Sequence, residues 1–155
     1  MLTGQTVPWN EASAALIIAA HVDRPGAMLP LLHALQAEFG CVPEAATALI
    51  AQALNLTRAE VHGVISFYHD FRRTPAGKRV LRLCRAEACQ SMGSESVAAR
   101  LLERLGIGWG ETTPDGALTV EAVYCLGLCA CSPAALLDGE VIGRVDDAVL
   151  AAVLA

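Results

Sequence analysis

The sequence predicts an α+β protein, in which an N-terminal helical bundle is followed by a domain with the element order β-α-β-β-β-α. Three observations lead to this prediction. Apolar residues repeat with a helical period in the first part of the chain, the turn-rich stretch TPAGK interrupts the pattern at residues 74–78, and alternation typical of strands begins only after it. We therefore expect a helical domain at residues 9–73 and a second domain at residues 78–155.

The first part of the chain carries start and stop signals for four helices. Asn10 is predicted to cap the first helix. The apolar stripe of MLPLLHALQAEF stops at Gly40, and Pro43 is placed to begin the next helix. Thr57 and Glu60 form a T-x-x-E capping box before the fourth. Because only short turns separate these helices, they are expected to pack as a bundle.

The second part of the chain is predicted to contain four strands and two helices. KRVLRLC alternates as a strand does, and Ser94 is predicted to cap a helix that Gly106 or Gly108 ends. PDG at residues 114–116 is a turn signal, and ALTVEAVYC is predicted to be the next strand. AALLDGEVIGRV predicts a hairpin turning at residues 138–139, and DDAVLAAVLA predicts a final helix.

Composition and charge exclude several functional classes. The net charge is -5 and no basic stripe is visible, which argues against nucleic-acid binding. The N-terminal MLTGQTVPWN lacks a signal-peptide pattern, and the longest apolar run, ASAALIIAA, is too short to cross a bilayer. We therefore predict a cytoplasmic protein. The chain shows no nucleophile–base pair, phosphate loop or G-x-G-x-x-G motif, so no catalytic residue and no flavin, NAD or molybdopterin site of its own is predicted.

Four of the six cysteines form two spaced pairs. Cys84 and Cys89 follow the first predicted strand, and Cys125 and Cys129 follow the second. Loops at the ends of two neighbouring strands can lie side by side, which would bring four thiolates together. In a reducing compartment such grouping indicates a metal or redox site before it indicates disulfides.

The spacing of the pairs leaves three chemistries open. A structural zinc site usually takes its thiolates from C-x2-C pairs, and redox-active dithiols also use C-x2-C. A [2Fe–2S] cluster takes two thiolates on each iron and suits wider loops, whereas [4Fe–4S] clusters usually use tighter runs. The C-x4-C and C-x3-C spacings therefore favour an iron–sulfur cluster over zinc or a dithiol.

Two longer stretches resemble a known family. CRAEAC followed by TTPDGALTVEAVYCLGLC is similar to the thioredoxin-like [2Fe–2S] ferredoxin family, which includes the 24 kDa-type subunit of respiratory complex I and its relatives in NAD-reducing hydrogenases and NAD-dependent formate dehydrogenases. The upstream LLHALQAEFGCVPEAATALIAQALNLTRAEVHGVISFYHDFRRTPAGK resembles the helical domain of that family. Within the family, VHGVISFYHDFR and CLGLCACSP most resemble the gamma subunit of the soluble, molybdenum-containing NAD-dependent formate dehydrogenase.

The resemblance implies a fold, a cofactor and partners. The second domain is expected to be a thioredoxin-like ferredoxin domain, with a [2Fe–2S] cluster held by Cys84 and Cys89 on one iron and by Cys125 and Cys129 on the other. Cys131 departs from the family pattern and is expected to pack rather than to ligate. The chain would be a non-catalytic one-electron carrier, exchanging electrons with a flavin- and NAD-binding subunit beside a larger molybdenum-containing catalytic subunit.

Three alternatives remain at this stage. The chain could instead be the equivalent subunit of a NAD-reducing hydrogenase or of complex I. Outside this class, a zinc-stabilised interaction module would use the same cysteines without redox function. A thiol–disulfide redox protein on a thioredoxin scaffold is the third alternative, although the chain lacks its C-x2-C motif.

Overall fold

The computed structural model describes residues 7–155. The chain divides into two compact units, one ending at Ala76 and one that comprises Gly77–Ala155. The domain bounds inferred from the sequence, residues 9–73 and 78–155, stay a prediction. The prediction that the N-terminal MLTGQTVPWN is not a signal peptide rests partly on residues 1–6, which lie outside the described residues.

The first unit contains the four predicted helices. Its core consists of buried apolar side chains, most of them from these helices, and Leu31, Leu35 and Ile50 are among the fully buried ones. Burial of such apolar area is the main favourable term in folding. The helices are α1 (Glu11–Ala19), α2 (Met28–Phe39), α3 (Glu44–Leu54) and α4 (Arg58–Phe67).

Three predicted helix ends are confirmed, whereas Pro43 does not begin α3 but precedes it as its N-cap. Asn10 Oδ1 accepts the N–H of Ser13 at 3.0 Å. Thr57 Oγ1 accepts the N–H of Glu60 at 3.2 Å, and the Glu60 carboxylate accepts the Thr57 N–H at 2.8 Å, which completes the capping box. Gly40 ends α2 with a φ of 74°, a left-handed conformation that glycine adopts without strain.

The second unit is a four-stranded sheet with helices. Its sheet has the order β2-β1-β3-β4, in which β1 and β2 are parallel and the pairs β1–β3 and β3–β4 are antiparallel. The predicted α+β class is therefore confirmed. Its elements are β1 (Arg79–Cys84), α5 (Glu87–Ser91), α6 (Ser94–Leu105), β2 (Leu118–Val123), a 3-10 helix (Cys129–Cys131), β3 (Ala135–Leu137), β4 (Glu140–Ile142) and α7 (Asp147–Leu154).

Helix α6 positions the carboxyl ends of β1 and β2. It is the crossover between these parallel strands, so it begins at the carboxyl end of β1 and returns the chain to the opposite end of the sheet. Leu101 of α6 packs in one buried core with Leu81 of β1 and Val120 of β2. This packing holds in place the carboxyl ends of β1 and β2, where both cysteine loops begin.

Two details of this unit differ from the sequence-based expectations. The segment between Cys84 and α6 was expected to be a loop, but it contains the short helix α5. Ser94 was expected to cap α6, but Gly93 holds the cap position with a φ of 88°, and Ser94 is the first helical residue. The turn from α5 into α6 needs this left-handed residue, so the cap moves back to the glycine. The Ser94 hydroxyl is buried without a hydrogen-bond partner in the described chain.

Other local predictions hold. The β3–β4 hairpin turns at Asp138 and Gly139, whose φ angles of 52° and 94° are those that tight hairpin turns require. Gly106 ends α6 as predicted. The final helix α7 begins one residue later than predicted, because Asp146 caps it by accepting the N–H of Val149 at 2.8 Å. Within residues 7–155, no helix combines the length and apolar character needed to cross a membrane.

Candidate metal centre

The two cysteine loops begin at adjacent strand ends. In the parallel register of β1 and β2, Cys84 lies opposite Val123, and the Arg85 N–H donates to the Val123 carbonyl at 2.8 Å. Cys125 follows two residues after Val123. The expectation that the two loops lie side by side at one end of the sheet is therefore confirmed.

Cys84 is held by several hydrogen bonds at the end of β1. Its side chain is buried, and its own N–H donates to the Ala134 carbonyl at 3.0 Å. Burial opposes ionisation of the thiol. The backbone N–H groups of Ala86, Cys125 and Leu126, together with the Cys89 thiol, hydrogen-bond to the sulfur and outweigh that effect, so the pKa of Cys84 lies below its usual value. The surroundings of this sulfur therefore stabilise a thiolate.

Cys89 lies on α5 and is also buried. Its Sγ lies 3.6 Å from the hydroxyl of Ser132, which in turn donates to the Cys129 carbonyl at 2.7 Å. Ser132 therefore connects the first cysteine pair to the backbone of the second. Sequence reasoning missed this residue, because a serine in a loop carries no spacing signal.

Cys125 and Cys129 are exposed, and their sulfur atoms are 3.7 Å apart. Cys125 has a φ of 74°, which is uncommon for a residue with a side chain, and Cys129 begins the 3-10 helix. The hydrogen bond with Cys125 raises the pKa of Cys129, and the charges of Cys125, Cys89 and Cys84 raise it further. The other three thiols therefore all oppose ionisation of Cys129.

The donor set fits an iron–sulfur cluster. Thiolates are the soft ligands that such clusters use, and main-chain N–H groups directed at a ligand sulfur are a usual part of their surroundings. In residues 7–155, no group of three or more His, Cys, Asp or Glu side chains is placed to hold a single metal ion. The thiols lie in two pairs, Cys84 with Cys89 and Cys125 with Cys129, and the four-thiolate ligand set stays a prediction.

The two remaining cysteines are not among the predicted ligands, although Cys131 shares the 3-10 helix with Cys129. The Cys131 Cβ is packed against Gly143, where an added Cβ would come within 2.8 Å of it. The Cys131 carbonyl accepts the Arg144 N–H at 2.7 Å, so this cysteine is anchored to the segment after β4. Cys41 is buried in the first unit, and burial raises the pKa of its thiol. Both positions agree with packing roles.

Arg85, directly after Cys84, is a residue that sequence reasoning missed. Its guanidinium forms two hydrogen bonds with the Glu95 carboxylate, at 2.8 and 3.2 Å, and stacks 4.9 Å from the ring centre of Trp109. Its carbonyl accepts the side-chain amide of Gln90 at 2.7 Å. These partners are distant in sequence or belong to other elements, so no local pattern identifies them.

Comparisons with known proteins identify the family of the chain. The profile of the thioredoxin-like [2Fe–2S] ferredoxin family matches residues 14–155. A NADH-quinone oxidoreductase subunit of Mycobacterium tuberculosis is 38% identical over 130 residues, which are 84% of this chain and 52% of that protein. NADP-reducing hydrogenase subunit HndA of Solidesulfovibrio fructosivorans is 32% identical over 133 residues, 86% of this chain and 78% of that protein.

A solved structure shares the fold. The NAD+-reducing [NiFe]-hydrogenase in its H2-reduced state superposes with a TM-score of 0.68 at 28% identity, over 82% of this chain and 21% of that chain. The chain spans about half the length of the first curated relatives that it matches. The family match covers almost all of the described residues, and it confirms the resemblance found in the sequence. The chain therefore belongs to the thioredoxin-like [2Fe–2S] ferredoxin family, and its cofactor is a [2Fe–2S] cluster.

Proposed function

We propose that this chain is the one-electron carrier subunit of a NAD-linked oxidoreductase complex. The observation that carries the proposal is the meeting of two cysteine pairs at the carboxyl ends of β1 and β2. The names of the relatives, which are subunits of NADH-quinone oxidoreductase and of NADP-reducing hydrogenase, support the same role. When bound, the [2Fe–2S] cluster supplies the ability to accept and release one electron.

The proposed ligands are Cys84 and Cys89 for one iron and Cys125 and Cys129 for the other. The separation of the thiols into two pairs supports this assignment, because each iron of such a cluster takes two thiolates. Cys131 is left out, since it packs against Gly143. The assignment agrees with the family pattern on which the resemblance rests.

The surroundings of the two pairs suggest on which side of the site electrons are transferred. Burial of Cys84 and Cys89 excludes water from one side of the site, and the N–H groups on the Cys84 sulfur stabilise negative charge there. Cys125 and Cys129 face the surface. A partner's redox group would come closest on that exposed side, so we propose that electrons enter and leave next to Cys125 and Cys129.

We further propose that the parent complex is a cytoplasmic NAD-linked formate dehydrogenase. The resemblance of VHGVISFYHDFR and CLGLCACSP to its gamma subunit supports this proposal. The partners would be a flavin- and NAD-binding subunit, with which this chain exchanges electrons, and a larger molybdenum-containing catalytic subunit. The second candidate is the equivalent subunit of complex I or of a hydrogenase, which the named relatives favour.

Purification of the tagged chain from its native host under anaerobic conditions tests the parent complex. We expect a flavin-bearing subunit and a molybdenum-containing subunit to co-purify, and the flavin to be reduced by formate. Nickel–iron subunits, or membrane subunits of a quinone reductase, would instead assign the second candidate. A chain that purifies alone with one zinc and without sulfide would contradict electron transfer and leave the zinc-stabilised interaction module.

A further inference from the structure

Arg85 is held by contacts to several segments around the proposed ligands. Its N–H donates to Val123 at the end of β2, and its carbonyl accepts the Gln90 side chain beside Cys89 on α5. Its guanidinium reaches Glu95 in the first turn of α6 and the ring of Trp109. One residue therefore joins the end of β2, α5, α6 and the segment before β2.

The geometry of these contacts is specific to arginine. A planar guanidinium can bind a carboxylate through two parallel hydrogen bonds while its face lies on an aromatic ring. Arg85 does both, with Glu95 and Trp109. A lysine carries the same charge, but it offers neither the two-bond fork nor the flat face, so the two residues are not equivalent at this position.

A second arginine, within β1, provides a comparison. Arg82 pairs with Glu121 across β1 and β2 at 2.9 Å, and the side chains of Arg82 and Arg85 have the same 30% exposure. The Arg82–Glu121 pair joins two strands that the sheet already holds in register. The Arg85–Glu95 pair instead joins the segment after Cys84 to a helix, where no ladder of backbone hydrogen bonds fixes the separation.

We propose that Arg85 is a positioning residue for the metal centre, holding the Cys84–Cys89 segment on α6 through Glu95 and on the segment before β2 through Trp109. This inference rests on the proposed ligand set. As an isolated surface ion pair, Arg85–Glu95 would add little to stability. Its effect is on geometry, because the segment from Cys84 to Cys89 must keep two sulfur atoms in place, and Arg85 fixes both its backbone and its contact with the helix. Residues that orient metal ligands typically change metal affinity about 10–100-fold when they are replaced.

The test compares full-length wild-type protein with Arg85→Lys and Glu95→Gln, and with Arg82→Lys and Glu121→Gln as matched controls. Each protein is reconstituted anaerobically with iron and sulfide. Three properties are measured: the rate at which a chelator bleaches the visible absorbance, the line shape of the EPR signal after reduction, and the midpoint potential. Thermal unfolding of the metal-free proteins reports any purely structural effect.

We expect Arg85→Lys and Glu95→Gln each to bleach at least about tenfold faster than wild type. Their EPR lines should broaden and their midpoint potentials should shift, while Arg82→Lys and Glu121→Gln stay within about twofold of wild type in bleaching rate. The double variant Arg85→Lys/Glu95→Gln should be little worse than either single variant, because both changes break the same contact.

Equal bleaching rates and unchanged spectra for the Arg85 and Arg82 variants would overturn the inference while leaving the proposed function intact. If faster bleaching is accompanied by a lower melting temperature but by an unchanged EPR line shape and midpoint potential, the effect is purely structural, and the inference is also overturned. A wild-type chain that takes up no iron and sulfide would remove the proposed function, and this inference with it.

Discussion

The two cysteine pairs that we propose to share one site are held in different ways. Cys84 ends a central strand and Cys89 lies on a short helix, and each of these residues is only 2% exposed. Cys125 and Cys129 are exposed on a segment without strand pairing, where Cys125 itself has a positive φ. Regular structure and burial thus fix the first pair, whereas local backbone conformation places the second.

This difference indicates that the two pairs have different roles in the site. Within the buried pair, Cys84 receives backbone N–H groups that stabilise its thiolate. Both buried cysteines lie on the side of the site that excludes water. The exposed pair leaves a side of the site open to a partner. Loss of a thiol from either pair should therefore lower cofactor loading, and changes next to the exposed pair should also affect access to the cofactor.

The largest expected effect comes from removing a buried thiol. Cys84→Ala should leave almost no iron bound, because the N–H groups of Ala86, Cys125 and Leu126 lose their acceptor together with the ligand. Iron and sulfide analysis of the purified chain measures this effect. Cys41→Ala, at a buried cysteine of the first unit, is the control and should keep full loading. Equal loading of both variants would contradict the assignment of Cys84.

Thiol reactivity of the metal-free chain sharpens the comparison between pairs. At alkaline pH, where the lowered pKa of Cys84 and the raised pKa of Cys129 no longer set the thiolate fractions, Cys125 and Cys129 should react with iodoacetamide at least about tenfold faster than Cys84 and Cys89. The buried thiols need local opening that costs about 1.4 kcal/mol or more. The raised pKa of Cys129 predicts that its rate climbs further as the pH rises through that pKa, because only the thiolate reacts. Mass spectrometry of the cysteine peptides follows each site. Similar rates for both pairs would contradict the difference in accessibility between them.

Gly143→Ala should perturb the 3-10 helix that carries Cys129 of the exposed pair. The new Cβ would lie 2.8 Å from the Cys131 Cβ and 3.1 Å from its carbonyl oxygen, so the 3-10 helix that carries Cys129 must shift. We expect a loss of about 1–3 kcal/mol in the free energy of unfolding, measured with denaturant. Gly63→Ala in α4 meets no atom within 4 Å and should stabilise the chain by up to about 1 kcal/mol. A Gly143→Ala chain as stable as wild type would contradict this packing.

Cys131→Ser should have the smallest effect. Because Cys131 is anchored through its backbone and packs with its Cβ, a serine can replace it with nearly unchanged iron content. Cys129→Ser, two residues earlier, should lower iron content or alter the EPR spectrum, since it removes a proposed ligand. If the two variants behaved in the opposite way, Cys131 would be the ligand in place of Cys129.

Local signals predicted the elements well, because caps and tight turns depend on neighbouring residues. The Asn10 cap, the Thr57–Glu60 box and the hairpin turn after β3 all lie where the sequence places them. The meeting of the cysteine loops was also predictable, since it follows from placing both pairs at the ends of neighbouring strands. The cofactor and family followed from the spacing and resemblance of the motif.

Contacts between distant segments were not predictable in the same way. The shift of the α6 cap from Ser94 to Gly93 follows from how α5 and α6 join, and α5 itself is too short to show a periodic pattern. The contacts of Arg85 with Glu95 and Trp109, and of Ser132 with Cys89, exist only after the sheet has formed. Such contacts leave no mark in a single sequence.

The central claim is that two cysteine pairs together hold a redox-active [2Fe–2S] cluster. The most direct test is iron, acid-labile sulfide and zinc analysis of the anaerobically prepared full chain, with a low-temperature EPR spectrum after dithionite reduction. We predict about two irons and two sulfides per chain and a spin-½ signal that appears on reduction. One zinc per chain, with no sulfide and no EPR signal, would contradict the claim.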